Sequence, residues 1–336
     1  MSNNEDLERV IADHTKTLER NPGNPEALFE RGRAWYRKEE YAKAIADLND
    51  LLKKVDGFAG AWYVRALAYS KEGDYGCAIQ DFTNAIANGL EATFLPDCYY
   101  NRGRCLYMKR SIGQAISDLS EAVRLDVKHA RAYMTRGLAW QLMREFANAI
   151  SDFSLAIHSD PNLADAYHNR GNALVYLGSF RKAIADFSKA IDIEPDIADS
   201  YTSRAVAWKR KGRYSKALAD YERALGIDPD SVERNAALAE FLATCPQNRF
   251  RDGARALELI TKVCERTGYN SADYVSCLAA VHAELGDFKS AVMFQRKAIS
   301  LSSDEDDKED MMRYIESYQA GERSFFRPPS WRERWA

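Results

Sequence analysis

The chain has 336 residues, with 47 Lys and Arg against 50 Asp and Glu, a formal net charge of -3 and a pI near 6.1. This balance argues against a surface dedicated to nucleic acid or to anionic membrane, since either would need an excess of positive charge. The start, MSNNEDLERV, lacks the apolar core of a signal peptide, and no run approaches the roughly 18 apolar residues of a membrane span.

The first predicted element is a single helix over residues 6–22. Its string IADHTKTLERNP, residues 11–22, aligns without a gap to IADFSKAIDIEP at residues 184–195. The second string is the later half of a helix pair, so the first helix corresponds to half a repeat. Repeat arrays need polar-faced ends for solubility. We therefore expect residues 1–24 to form an N-terminal half-repeat cap.

Six regular repeats are predicted next, over residues 25–231. Three of their first helices carry YYNRG, YMTRG or YHNRG, and the six second helices carry AIADL, AIQDF, AISDL, AISDF, AIADF or ALADY. The repeats start 34 residues apart, except for a step of 37 between Ala59 and Pro96. A fixed period of this length indicates stacked helix pairs that bury their apolar faces on one another. The three extra residues lie in NGLEATFLPD, where Gly89 and Pro96 predict a longer turn.

The two helices of each repeat carry small residues at the positions where they should meet. A bulky side chain there would overpack the interface at a cost of about 1–3 kcal/mol. We therefore expect the helix backbones to approach closely. The eighth position of the first helix holds Gly32, Ala66, Gly103, Gly137, Gly171 and Ala205, and the facing position of the second holds Ala44, Ala78, Ala115, Ala149, Ala183 and Ala217.

One group of residues matches a known repeat in order and spacing: Tyr167, Gly171, Ala183, Phe187, Ala190 and Pro195. On these residues the chain resembles the tetratricopeptide repeat (TPR) family over nearly its whole length. The resemblance implies an all-α fold, a right-handed TPR solenoid of antiparallel A and B helices (an α-α superhelix). It also implies a protein that binds other proteins, although the fold alone does not specify a function.

The last third of the chain departs from the regular pattern. Two divergent repeats are expected at residues 232–303, the first with helices at Val232–Thr244 and 254–266. The string LATCPQNRFRDGARALEL resembles a C-terminal TPR module of bacterial proteins. Residues 304–336 should form a capping helix, at 308–320, and a tail. In this tail we expect Phe325 and Phe326 to pack on the last helices and residues 331–336 to be mobile.

Every regular repeat also contains one arginine and one aspartate in fixed register. They could form an anion-binding ladder, but we expect structural ion pairs, since the arginine fork matches a carboxylate. Asp13 in the cap helix has no arginine of its own, which favours pairing from one repeat to the next. The predicted pairs are Asp13–Arg31, Asp47–Arg65, Asp81–Arg102, Asp118–Arg136, Asp152–Arg170 and Asp186–Arg204.

No catalytic or metal-binding motif is recognised. The five histidines lack the HExxH spacing, and no glycine-rich phosphate loop follows a predicted strand. The six cysteines contain no CxxC pair and are interpreted as free thiols in a reducing cytosol. Cys98 and Cys105 lie seven residues apart, which fits buried packing better than a metal site. We expect a cytoplasmic, non-enzymatic protein without a cofactor.

The family resemblance places the binding surface on the concave wall, which the A helices form. Aromatic and arginine side chains there have the composition of binding hot spots. The alternative is that several of them only pack on adjacent A helices. The candidate protein-binding groove consists of Phe29, Arg33, Tyr36, Tyr63, Tyr100, Arg104, Tyr107, Arg131, Met134, Leu138, His168, Asn172 and Tyr176, with Arg37 and Leu67 on the same wall.

The sequence thus favours an interaction scaffold, monomeric rather than oligomeric, that binds a protein or peptide segment in this groove. A segment with apolar anchors and some acidic residues would suit the expected apolar strip and its basic edges. No three repeats supply the lysine, asparagine and arginine set of chaperone-tail receptors. A self-assembling structural repeat protein, with its aromatic tail in the groove of another copy, remains an alternative. A helical-repeat RNA binder fits less well, because the chain is acidic overall.

Overall fold

The computed structural model describes residues 2–323, which fold into α-helices and two 3₁₀ turns, with no strand in this range. The all-α class expected from the sequence is confirmed. The chain divides into two compact units, Met1–Pro161 and Asn162–Ala336. The expectations for Phe325, Phe326 and residues 331–336 fall outside the described residues. Over the described range, no helix has the length and apolar character required to span a bilayer.

The first unit contains nine helices, and each helix packs on its sequence neighbours within the unit. The A helices also touch one another in succession, α2 with α4, α4 with α6 and α6 with α8. The helices are α1 (Ser2–Arg20), α2 (Pro25–Arg37), α3 (Tyr41–Leu52), α4 (Ala59–Glu72), α5 (Tyr75–Ala87), α6 (Leu95–Met108), α7 (Ile112–Leu125), α8 (Ala130–Leu142) and α9 (Phe146–Ser159).

The second unit repeats the arrangement with nine more helices. The last helix begins at Glu305 rather than at the expected Lys308, because the Asp304 side chain caps it by accepting from the N–H groups of Asp306 and Asp307. The helices are α10 (Ala164–Tyr176), α11 (Phe180–Ile193), α12 (Ala198–Arg210), α13 (Tyr214–Ile227), α14 (Val232–Thr244), α15 (Gly253–Arg266), α16 (Ala272–Glu284), α17 (Phe288–Leu301) and α18 (Glu305–Gln319).

The close approach of the two helices within a repeat is confirmed at Gly171. A Cβ atom added there would lie 2.6 Å from Cε1 of Phe187, whose side chain is fully buried on the facing B helix. Gly137 and Phe153 show the same distance in the first unit. The missing side chain of the A helix therefore makes room for the phenylalanine of the B helix. The buried clusters continue from one repeat to the next, as where Leu28 of α2 and Val64 of α4 belong to one cluster.

The arginine and aspartate side chains pair within each repeat, so the predicted pairing across repeats is wrong. In the fifth repeat Arg170 donates to Asp186 through Nε and Nη2, both at 2.8 Å. Arg170 precedes Gly171, where helices A and B are closest, and the fork therefore meets the carboxylate of its own B helix. Asp13 lies instead on the surface, 4.0 Å from Arg9. The observed pairs are Arg31–Asp47, Arg65–Asp81, Arg102–Asp118, Arg136–Asp152, Arg170–Asp186 and Arg204–Asp220.

The third arginine nitrogen reaches the preceding B helix, but it donates to a hydroxyl or an amide there. Arg136 Nη1 donates to Ser120 Oγ at 3.0 Å, and that hydroxyl donates in turn to the Ile116 carbonyl at 2.7 Å. The Arg136 guanidinium also lies 5.6 Å from the ring centroid of Tyr133. All its groups are engaged inside the fold, so the arginine is a structural residue. The same donation joins Arg31 to Thr15, Arg65 to Asn49, Arg102 to Thr83 and Arg204 to Ser188.

Candidate functional site

A cleft of about 720 Å³ opens in the first unit and is bounded by α2, by α4 and by the segment that precedes α6. We call it the aromatic cleft. The wall from α2 consists of four residues at helical spacing on one face, which is why they point the same way. The lining residues are Phe29, Arg33, Tyr36 and Arg37 of α2, Ala59, Gly60, Tyr63, Val64 and Leu67 of α4, and Gly57, Phe58, Asn88, Gly89, Leu90, Glu91 and Phe94 of the turns.

The floor of the cleft forms where α2 and α4 meet. The Phe29 ring packs edge-on against Phe58, with centroids 4.8 Å apart. A Cβ atom at Gly60 would lie 3.2 Å from Cζ of Phe29, so the glycine leaves room for that ring. Tyr63 is held by Phe82 of α5, at a centroid distance of 6.1 Å. The aromatic rings of the floor are therefore fixed by packing before any ligand arrives.

The three-residue insertion predicted from the sequence builds the outer wall. Gly89 has a left-handed φ of +78°, and the chain then makes a 3₁₀ turn at Ala92–Phe94. This turn brings the Phe94 ring to 5.9 Å from Tyr63, while 45% of Phe94 stays exposed. A repeat of ordinary length would lack residues for this turn. The insertion therefore gives the cleft an aromatic rim.

Charged groups stand at the edge of the aromatic cleft. Arg33 binds Glu30 of its own helix at 2.8 Å and stacks over Phe29 at 5.4 Å. Arg37 and Glu91 are both exposed, and neither side chain has a hydrogen-bond or ion-pair partner among residues 2–323. One uncompensated positive charge and one uncompensated negative charge therefore face the cleft.

Burial raises the pKa of Tyr63 well above its ordinary value. The pKa of Tyr36 is also raised, first by burial and then by Tyr41, against an opposing effect of Arg104. Both phenols are therefore protonated at neutral pH, and each offers a hydroxyl that can donate or accept a hydrogen bond.

Four predicted groove residues, Phe29, Arg33, Tyr36 and Tyr63, come together in this cleft. Phe58 and Phe94 were missed, because helical periodicity identifies faces of helices and both residues lie in turns. The signal for Phe94 was its place inside the insertion NGLEATFLPD. Phe58 precedes α4 and had no comparable signal.

The predicted residues of α6 contact neighbouring A helices. Tyr100 lies 4.8 Å, ring to ring, from His129, which caps α8 by accepting from the Ala132 N–H at 3.2 Å. The other ring nitrogen, Nε2, lies 3.3 Å from Asp97, and this contact lowers the pKa of Asp97. Arg104 donates to Ser70 Oγ at 3.1 Å.

The other predicted residues of the first unit lie outside the aromatic cleft. Tyr107 is half-buried and shares a face of α6 with Tyr100 and Arg104. On α8, Met134 and Leu138 are half-buried and Arg131 is exposed. These residues keep a solvent-accessible part on the A helices and remain candidates for binding.

In the second unit, His168 and Asn172 form a small polar cluster on α10. His168 Nδ1 lies 2.9 Å from Ser200 Oγ, and Nε2 lies 3.0 Å from Asn172 Nδ2. Burial lowers the pKa of His168, against the smaller influence of Asp199 and Asp165. Both side chains are thus engaged in contacts within the unit. Tyr176, at the end of α10, is half-buried.

Within residues 2–323, no three His, Cys, Asp or Glu side chains cluster in a way that could hold a metal ion. The six cysteines are free thiols, five of them buried and Cys77 exposed. Burial raises the pKa of Cys98 to about 12, which keeps that thiol protonated and unreactive. No catalytic group is identified in the aromatic cleft.

Two family models, both described as tetratricopeptide repeat, match the sequence. One matches residues 5–61 and 168–232, and the other matches residues 59–87 and 278–305. The matches thus include the N-terminal helix, regular repeats and the eighth repeat. No curated protein matches the chain significantly.

Solved structures of similar fold are numerous. The C-terminal part of a TPR repeat-containing protein from Cytophaga hutchinsonii has 21% identity and a TM-score of 0.60, over 70% of this chain and 94% of that one. A tetratricopeptide repeat protein from Parabacteroides merdae has 15% identity and a TM-score of 0.59, over 77% and 98%. The structure of the APC/C hetero-tetramer Cut9–Hcn1 matches with 18% identity and a TM-score of 0.54, over 70% and 45%. At these identities the likeness concerns the fold.

Proposed function

Because this chain belongs to the tetratricopeptide repeat family, we propose that it is a non-enzymatic scaffold that binds a protein or peptide segment along its A helices. The observation that carries the proposal is the aromatic cleft. It offers about 720 Å³ lined by aromatic side chains with charges at its edge. Concave apolar sites with a few convergent polar groups are the usual binding sites of proteins.

The A helices beyond the cleft support the same function. In the first unit Tyr107, Met134 and Leu138 are half-buried on α6 and α8, and Arg131 is exposed beside them. We propose that these side chains, with Tyr100 and Arg104, extend the binding surface for a segment that carries apolar anchors and some acidic residues. In the second unit His168, Asn172 and Tyr176 on α10 are proposed to contribute to binding in the same way.

Tyr107 provides the sharpest test of this surface. The full chain is used to capture its partner from an extract of the source cells, and affinity and melting temperature are then measured for Tyr107→Ala. Truncation of a hot spot should cost about 2 kcal/mol or more of binding. Folding should hardly change, because the side chain keeps an exposed part.

Tyr99→Ala is the matched control, because Tyr99 lies on the same helix with its ring under the Arg102 guanidinium, 5.4 Å away. This variant should melt earlier and bind normally. If Tyr107→Ala melts far below the wild type while its affinity is unaltered, Tyr107 is a core residue and the proposed surface is wrong.

Self-assembly is the second candidate function. Its support is a group of exposed apolar side chains at the ends of α6 and α8, where Met108, Leu142 and Met143 are 52%, 45% and 52% exposed. Light scattering over a range of concentrations separates the two functions. A stable oligomer without ligand supports self-assembly, and a monomer supports the scaffold. We also propose a cytoplasmic location, consistent with six free thiols.

A further inference from the structure

We propose that the aromatic cleft binds a dipolar peptide segment of a separate protein, in which a bulky apolar side chain stands between a basic and an acidic residue. The basic residue would face Glu91 and the acidic residue would face Arg37. This inference rests on the proposed function, and it states the chemistry of the segment for one part of the binding surface.

Glu91 marks one end of the aromatic cleft. A Cβ atom at Gly57 would lie 3.2 Å from Asn88 Oδ1, so the turn before α4 and the segment of Glu91 are adjacent. Phe58, which follows Gly57, contacts Phe29 in the first half of α2. Glu91 therefore stands at the Phe29 end. The amino end of α4 lies there too, and its partial positive charge of about half a unit reduces the negative charge of Glu91 without cancelling it.

Arg37 marks the opposite end. It follows Phe29 by eight residues on α2, which at 1.5 Å per residue places the two backbones about 12 Å apart along the helix. Arg104 adds positive charge near this end, because it opposes the rise in the pKa of Tyr36. Its hydrogen bond is to the neutral hydroxyl of Ser70, which does not compensate that charge. The uncompensated charges of the cleft are thus separated by roughly the length of a short peptide.

The space between the two charges suits one large apolar side chain. The rings of Phe29, Phe58, Tyr63 and Phe94 form its walls, and aromatic pairs in edge or offset contact gain stability beyond burial alone. A cleft of about 720 Å³ falls in the range of roughly 300–1,000 Å³ that accommodates a drug-sized ligand. A segment of a few residues fits that size, whereas a single side chain would leave most of the cleft empty.

The charges at the rim would select the segment more than they would tighten binding. Exposed ion pairs contribute little affinity individually, but a like charge in the wrong place disfavours a competing partner. Residues 324–336 of this chain carry Arg327, Arg332 and Arg334 against Glu333, so their excess positive charge is a poorer match for the Arg37 end. This mismatch favours a separate protein as the occupant.

Four short peptides test the proposal on the full chain: acetyl-Lys-Trp-Asp-amide, acetyl-Asp-Trp-Lys-amide, acetyl-Asp-Trp-Asp-amide and acetyl-Lys-Trp-Lys-amide. Their affinities are measured by ligand-observed NMR titration. The mixed peptides contain one Lys and one Asp. The tighter of the two should bind about fivefold more tightly than either like-charged peptide, because it can form ion pairs with both Arg37 and Glu91. The two mixed orders are included because the direction of the bound backbone is not assumed.

Two charge-reversal variants give opposite expectations, which a folding defect would not produce. Arg37→Glu places a negative charge at the end opposite Glu91, where Arg104 still contributes positive charge, so the peptide with two lysines should gain affinity relative to the other three. Glu91→Lys makes both ends basic, so the peptide with two aspartates should become the tightest. Both residues are exposed, and their substitution leaves the core intact. Phe94→Ser should weaken all four peptides alike, because it removes part of the apolar wall.

An unchanged ranking in both variants, or equal binding of mixed and like-charged peptides, overturns the inference. If that happens while Tyr107→Ala still weakens the captured partner, the proposed function stands without it. If the peptides rank as expected and Tyr107→Ala has no effect, the cleft binds its segment and the proposed surface on α6 and α8 is wrong. A dimer that the peptides dissociate would identify a second copy as the occupant and would overturn the choice of a separate protein.

Discussion

Arg136 binds Asp152 through two parallel hydrogen bonds, Nε to Oδ2 at 2.8 Å and Nη2 to Oδ1 at 2.7 Å. The Asp152 side chain is only 5% exposed. The pair joins α8 to α9 inside one repeat, and the same geometry recurs in every regular repeat. A buried charge that loses its partner is strongly destabilising, even where the intact pair adds little net stability.

Asp152→Ala should therefore lower the free energy of unfolding of the protein by about 3–5 kcal/mol, because it leaves the Arg136 guanidinium buried without its carboxylate. Urea denaturation measures the change without screening the charges. Asp13→Ala is the matched control, since Asp13 occupies the same register and its side chain is 62% exposed. Its effect should stay within about 0.5 kcal/mol. Equal losses in the two variants would show that burial of the pair is not the cause.

Gly171→Ala should destabilise the second unit, because its Cβ would press on the Phe187 ring at 2.6 Å. Overpacking costs about 1–3 kcal/mol, and we expect a value near 1, since Ala66 is accommodated at the corresponding position opposite Phe82. Gly226→Ala should act in the opposite direction and stabilise by about 0.5–1 kcal/mol, because it lies in α13 with nothing within 4 Å of the added atom. Thermal unfolding of both variants gives the signs. A stabilising Gly171→Ala would contradict the close approach.

A thiol reagent should label one cysteine rapidly in the native protein. Cys77 is exposed, although Asp74 raises the pKa of its thiol. Cys98 is fully buried, and that burial raises its pKa to about 12. Because the thiolate is the reactive form, buried and protonated thiols should react only when the protein unfolds. Mass spectrometry after a timed reaction identifies the labelled residue, and Cys77→Ser should abolish the fast phase. A second cysteine labelled as fast in the folded state would refute the expectation.

The second unit should lose stability as the pH falls through the range in which histidine titrates. Burial lowers the pKa of His168 below its ordinary value of 6.5, so below that pH the unfolded chain binds a proton that the folded chain does not. The stability is therefore complete above about pH 6.5 and decreases towards lower pH. Urea midpoints at about pH 7.5 and about pH 5.5 should differ more for the wild type than for His168→Gln, which cannot titrate. An identical pH dependence in both proteins would exclude His168 as the cause.

Much of the fold could be predicted because the regular repeats carry similar residue types at the same positions. The small residue at Gly171, the ring at Phe187 and the glycine turn at Gly178 all indicate one antiparallel pair. The partner of the arginine could not be settled in this way. A helical wheel gives the direction of Arg136 but does not decide between two flanking B helices, and its fork reaches both. The available signal was the hydroxyl or amide two residues after the aspartates that precede a further arginine, such as Ser120 after Asp118.

The candidate site was predictable only in its helical part. Phe29 and Tyr36 follow the spacing of one helix face, so the sequence places them on the inner wall. Phe94 depends on the left-handed Gly89 and on the 3₁₀ turn after it, and periodicity does not specify either feature. The sequence does not show which arginine side chains of the cleft are paired. In the structure Arg33 binds Glu30, whereas the Arg37 side chain has no such partner among the described residues.

The pairing within repeats has a consequence for how such a chain can evolve. A repeat that contains both Arg136 and Asp152 has no net charge at its buried ion pair. From the preceding repeat it needs only a hydroxyl or an amide that accepts the third hydrogen bond of the arginine. Duplication or loss of one repeat in the gene would therefore leave no buried charge without a counterion. The end of the series fits this view: Leu238 stands where the next arginine would be, and Asp220 is already bound by Arg204 at 2.8 Å. If the pairs had formed across repeats, each duplication would have required a compensating mutation.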